Sequence, residues 1–137
     1  MNVCVNDKNT LLLNKLKIFY EDDKNFKEFE NFVDGRSISL RIIDYVCTKY
    51  SKEKPIIFDT KRGMSNVYTS YKDQLKAYSK KQFDPFKRHE RIHLDVHGKK
   101  FETTVAQLNF FKWAIEIELM DLLERHLPKV EEHMKKS

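Results

Sequence analysis

A chain of 137 residues with 40% hydrophobic, 12% aromatic and 34% charged side chains has the size and apolar content of one folded domain, and it is too apolar for a disordered polymer. The 26 Lys and Arg outnumber the 21 Asp and Glu, giving a net charge of +5, which favours polyanionic partners but specifies no fold. The three glycines (Gly35, Gly63, Gly98) exclude a glycine-rich phosphate loop, two cysteines (Cys4, Cys47) point to a reduced intracellular setting, and the apolar runs are too short for a signal peptide or a membrane span.

Leu11, Leu12, Leu13, Leu16 and Phe19 recur at helical spacing after Asn9 and Thr10, which predicts a first helix over about 11–20, with 1–10 as a mobile end. Glu21-Asp22-Asp23 supplies a break and a new cap. Phe26, Phe29 and Val33 then share a helical face, with Phe32 beside it and Gly35 as the stop. Ser37 or Ser39 caps a third helix whose buried face is Leu40, Ile43, Cys47 and Tyr50, and Pro55 ends it. Ile56-Ile57-Phe58 reads as a short strand, and 61–64 as a loop into the next helix, capped by Ser65 or Asn66.

In that helix Val67, Tyr71, Leu75 and Tyr78 form the apolar stripe, while Lys72, Lys76 and Lys80 recur every four residues beside it, with Tyr68 one step earlier. Lys81, Lys87, Arg88 and Arg91 follow. Residues 61–100 carry eleven Lys and Arg against four Asp and Glu, whereas 1–60 balance ten against ten and 101–137 carry five against seven. The excess positive charge therefore sits in the middle of the chain.

From Arg91 the apolar period changes from 3.6 to 2. Ile92, Leu94 and Val96 alternate with polar residues, His97-Gly98 signals a tight turn, and Phe101 returns on the same face, so a β-hairpin ending in Lys99 and Lys100 is predicted. Thr104 with Gln107 is a capping-box pattern opening a last helix over about 104–127, with one stripe from Leu108 to Leu122 and a second through Phe110, Trp113, Ile117 and Met120. Such breadth means either a central helix or a subunit interface. Pro128 ends or kinks it, and 129–137 reads as a frayed tail.

No constellation for catalysis stands out, so the chain reads as no enzyme and needs no cofactor. His89, His93 and His97 share strand parity, but successive pairs lie roughly 13 Å apart on a straight strand, too far for one metal. Asp84 could pair with Glu90 or Asp95, yet no spacing brings them together. Phe83-Asp84-Pro85-Phe86 suits a rigid corner pinned into the core, with one exposed ring as a stacking platform the alternative.

The run Asn66-Val67-Tyr68, Tyr71-Lys72, Gln74-Leu75-Lys76-Ala77-Tyr78-Ser79-Lys80-Lys81, Phe83-Asp84-Pro85-Phe86 and Arg91-Ile92 resembles a small basic protein family of large nucleocytoplasmic DNA viruses. Thr103-Thr104, Gln107-Leu108-Asn109-Phe110-Phe111 and Trp113-Ala114-Ile115 resemble its other signature, and Ser37 to Leu40 with Ile43-Asp44 is a weaker third match. A cysteine often stands in that family where this chain has Lys87. The resemblance carries no established activity. It implies a viral origin, and a location in the infected host cell, cytoplasm or nucleus, or in the virion.

The expectation is one mostly helical α+β domain over 1–137, with a short strand and a β-hairpin in a winged-helix-like order. Tyr68, Lys72, Lys76, Lys80, Lys81, Lys87, Arg88, Arg91, Lys99 and Lys100 would contact phosphates of a nucleic acid, DNA ahead of RNA, with little sequence preference. The alternative is a viral assembly or host-interaction module that meets an acidic protein with the basic segment, or forms a homo-oligomer through the 104–127 helix.

Overall fold

The Thr104 hydroxyl accepts a 3.0 Å hydrogen bond from the Gln107 amide and so starts the helix around which the other elements pack. Gln107 does not reach back to complete the capping box; its side-chain oxygen accepts a 2.6 Å bond from the Thr103 hydroxyl instead. The structure, a computed structural model, describes residues 7–34, 38–84 and 91–136. Within them the order is α1 (Asp7–Glu21), α2 (Asp23–Asp34), α3 (Leu40–Tyr45) running into a π-helical turn (Val46–Tyr50), α4 (Ser51–Glu53), β1 (Ile57–Thr60), β2 (Gly63–Asn66), α5 (Val67–Ala77), α6 (Lys80–Phe83), β3 (Arg91–Val96), β4 (Lys99–Thr104), α7 (Val105–Glu116) and α8 (Leu119–Lys136). The fold is α+β.

Helix α7 is buried on both flanks. On one side Phe111 meets Phe29 and Phe32 of α2, with ring centres 5.8 and 5.0 Å apart. On the other, Trp113 meets Tyr71 of α5 and Phe83 of α6, at 5.9 and 5.7 Å. The second apolar stripe of the predicted helix is thus covered from within the chain, over Phe110 and Trp113. At Glu118, held left-handed at φ 57°, the chain turns and α8 begins. The single helix expected over 104–127 is therefore two, broken at Glu118, after which α8 packs on α7 and on the π-helical turn. Helix α8 then runs through Pro128 to Lys136, with Val130 fully buried. The frayed tail expected from residue 129 is instead helix up to Lys136, since burial of Val130 offsets the one amide that proline withholds.

Other expectations hold with local shifts. Asp22 accepts from the Lys24 and Asn25 amides at 2.9 and 3.1 Å, and Ser39 accepts from the Ile42 amide at 3.3 Å, so the chain breaks where the acidic and serine caps predicted. In α1, Tyr20 joins Leu12 and Leu16 in the core while Leu11 is exposed; in α2, Phe32 is buried and Val33 is not. The loop expected at 61–64 is partly strand: β1 and β2 pair antiparallel from Ile57↔Asn66 to Thr60↔Gly63. Strands β3 and β4 pair from Arg91↔Thr104 to Val96↔Lys99, with Leu94 opposite Phe101. His97 and Gly98 both have positive φ (53° and 75°), the turn geometry that matches strand twist. The two ribbons remain separate two-stranded sheets, and β1 does not join the second hairpin. Gly35 lies outside the described residues.

Candidate functional site

The Asn66 side chain sits at the N-cap position of α5 but does not cap it. Its oxygen accepts from the Ile56 amide at 3.1 Å, its nitrogen donates to the Ser51 carbonyl at 3.2 Å, and the Val67 amide donates to the Ile56 carbonyl at 3.0 Å. These bonds tie the start of α5 to segment 51–56. Val67 and Tyr71 are buried, Leu75 and Tyr78 half-buried, and the Trp113 indole donates to the Ser70 hydroxyl at 2.9 Å. The opposite face follows from the helical period: Lys72 and Lys76 stand exposed one turn apart, with Asp73 between them. Half-buried Tyr68 lies at the edge of this face, with the Lys52 ammonium 6.0 Å from its ring centre. Among the described residues neither Lys72 nor Lys76 has a carboxylate partner.

The remaining predicted contacts are not brought together in one row. Helix α5 ends at Ala77 and Tyr78 is extended (φ −125°, ψ 141°), so Lys80 belongs to the separate helix α6. Lys81 is exposed on α6. The side chain of Lys80, and Lys87 and Arg88 as a whole, lie outside the described residues, as do Pro85, Phe86, His89 and Glu90. Arg91 is paired with Glu102 at 3.1 Å. Lys99 is paired with Glu30 of α2 at 2.9 Å and stands 5.9 Å from the centre of the Phe26 ring. Lys100 is exposed, in register with Asp95. His97 anchors the hairpin turn further: one ring nitrogen is 3.0 Å from the Asp23 carboxylate and the other 3.0 Å from the Tyr20 carbonyl. The hairpin tip therefore docks on α1 and α2, whereas α5 docks on the π-helical turn, β2 and α6.

Two polar groupings have no signature in the sequence. Beneath α5, burial and then the Asp44 charge push the Cys47 thiol well above its usual range. The Tyr71 phenol is raised by burial, then by Cys47, Asp84 and Asp44. Asp44 itself is raised by burial and next by the Asp84 charge. Phe83 anchors the adjacent corner, fully buried against Tyr71, Tyr78, Phe110 and Trp113. The second grouping is a row in which His133 of α8 shares one ring nitrogen with the Tyr45 hydroxyl and places the other 3.4 Å from Glu53. It clamps α8 onto α3 and α4. Tyr45 and His133 are 88 residues apart, so spacing along the chain could not have revealed the pair. Among the described residues no three His, Cys, Asp or Glu are grouped to hold a metal, and no helix is long and apolar enough to cross a membrane.

The sequence matches a family of unknown function, DUF7197, over residues 2–137. The chain belongs to this family. It is also 34% identical over 142 residues to "Uncharacterized protein L507" of Acanthamoeba polyphaga mimivirus, an alignment covering 95% of this chain and 55% of the relative. The chain thus spans about half the length of that curated relative. No solved structure matches it. The resemblance carried by the lysine-rich and Gln107-Leu108-Asn109 segments accordingly stands at the level of a viral family of unknown function.

Proposed function

We propose that this viral protein binds nucleic acid without catalysis, through the wet face of α5, with DNA preferred to RNA. The observation that carries this reading is the exposure of Lys72 and Lys76 one turn apart, with no carboxylate partner among the described residues. Lys52 beside Tyr68 extends that charge at one end of α5, and Lys81 adds to it beyond the other. Such ammonium groups neutralise phosphates, and none of them has the fork geometry that reads base edges, so sequence preference is weak.

The test is fluorescence anisotropy on mixed-sequence double- and single-stranded oligonucleotides across a salt series. With about three to five phosphates neutralised, the log–log slope on duplex is about −3 to −4.5. A Lys72→Glu, Lys76→Glu variant weakens binding and flattens the slope. Absence of binding at low salt, or equal binding by the variant, overturns the reading.

A further inference from the structure

We propose that the concave surface between α8 and segment 50–55 binds a phosphoryl anion. It goes beyond the α5 reading and does not depend on it. The hollow encloses about 480 Å³, with Tyr50 and Pro55 against one wall. Lys54 approaches from the chain leaving α4, and His126 and Lys129 from the middle of α8. Positions 126, 129, 133 and 136 follow one another at three- and four-residue steps, so their side chains descend one face of the helix.

The charge balance inside the hollow decides its chemistry. Two carboxylates are near it, and each already has a cation or imidazole of its own: Glu132 is 3.1 Å from Lys136, and Glu53 is 3.4 Å from His133. Lys54, His126 and Lys129 have no such partner among the described residues. Three nitrogen-bearing side chains lining one hollow without a free carboxylate suit a compact, multiply charged oxyanion. The clamp of His133 by Tyr45 and Glu53 fixes α8 against α3 and α4, so the helix face that carries His126 and Lys129 is in place before a ligand arrives.

A phosphoryl group could come from a free phosphate compound or from a nucleic-acid backbone. Lys52, two residues before Lys54, lies over Tyr68 at the edge of the α5 face, so a continuous strand of phosphates has a charged route between the two surfaces.

The experiment is an amide and imidazole NMR titration of the full chain with sodium pyrophosphate, at ionic strength matched by sodium chloride, and in parallel with a short oligothymidylate. Pyrophosphate is expected to give saturable shifts at Lys54, His126 and Lys129. In a Lys54→Gln, Lys129→Gln variant with an otherwise unchanged spectrum, the affinity falls roughly tenfold, as when charge-assisted contacts are lost. The response persists in the Lys72→Glu, Lys76→Glu variant, which separates this site from α5. If the oligothymidylate moves the same signals, the source is a nucleic-acid backbone; if only pyrophosphate does, it is a free phosphate compound. Shifts that are absent, are reproduced by chloride, persist unweakened in the glutamine variant, or vanish in the α5 variant overturn the proposal.

Discussion

The Tyr20 hydroxyl donates a 2.6 Å hydrogen bond to the Leu108 carbonyl, joining the end of α1 to the first turn of α7 across 88 positions of sequence. The ring packs edge-on against Phe19 and Phe29, and burial, then the Glu116 charge, raises the phenol well above its usual range. Tyr20→Phe keeps the packing and removes the donor. It is expected to cost about 0.5–1.5 kcal/mol, read as a fall of roughly 2–6 °C in thermal midpoint. An unchanged midpoint would show that the bond contributes nothing net.

Cys47 lies fully buried in the π-helical turn with its thiol held protonated. Because the thiolate is the reactive form, alkylation of Cys47 in the folded protein at pH 8 should proceed only as fast as the chain opens. Peptide mass spectrometry with and without urea measures this; equal labelling rates in both would refute it.

Glu28 is raised by burial, against a lowering by Lys24, with Asp121 and Glu118 raising it further. A folded-state value above the unfolded one means that the ionised form costs stability at neutral pH. The cost is relieved as pH falls through the folded value, and it is gone below the unfolded value of about 4.3. Glu28→Gln should therefore stabilise the protein at pH 7 by about 0.5 kcal/mol, after allowance for solvent screening, and the gain should vanish near pH 4. Urea midpoints for both proteins at the two pH values give the answer, and a gain that grows on acidification would reverse the sign argued here.

The ion pairs of Arg91 with Glu102 and of Lys99 with Glu30 assign those two cations to the hairpin's own anchorage. Lys99→Gln should change oligonucleotide affinity by less than about twofold, and each exposed pair is worth only about 0–1 kcal/mol of stability. Lys72→Gln, by contrast, should lower affinity several-fold and reduce the salt slope by about one contact. Equal losses in the two variants would move the binding surface to the hairpin.

Ending the chain after Leu127 removes Val130 and the His133 clamp. Burial of the valine alone is worth about 1.5–3 kcal/mol, so the shortened protein should melt well below the full chain. A Val130→Ala, His133→Ala variant should reproduce part of the loss. A shortened chain as stable as the original would restore the frayed-tail reading.

What could be read from the sequence is what is decided within a few residues. Ser39 and Thr104 are caps because a hydroxyl reaches an amide three positions on. His97-Gly98 turns because two successive left-handed residues match the twist of paired strands. Val67 and Tyr71 are buried and Lys72 and Lys76 exposed because the helical period sorts them onto different faces. Tertiary structure decided which charges are available and where the last helix goes. Lys99 and Glu30 are 69 residues apart, and Tyr45 and His133 are 88 apart. The break of α7 from α8 falls at the left-handed Glu118, where no glycine or proline in the sequence signals a stop. Pattern along the chain reports which face of an element is apolar; only packing selects the partner that covers it, since side chains far apart in sequence meet when the elements carrying them share a core.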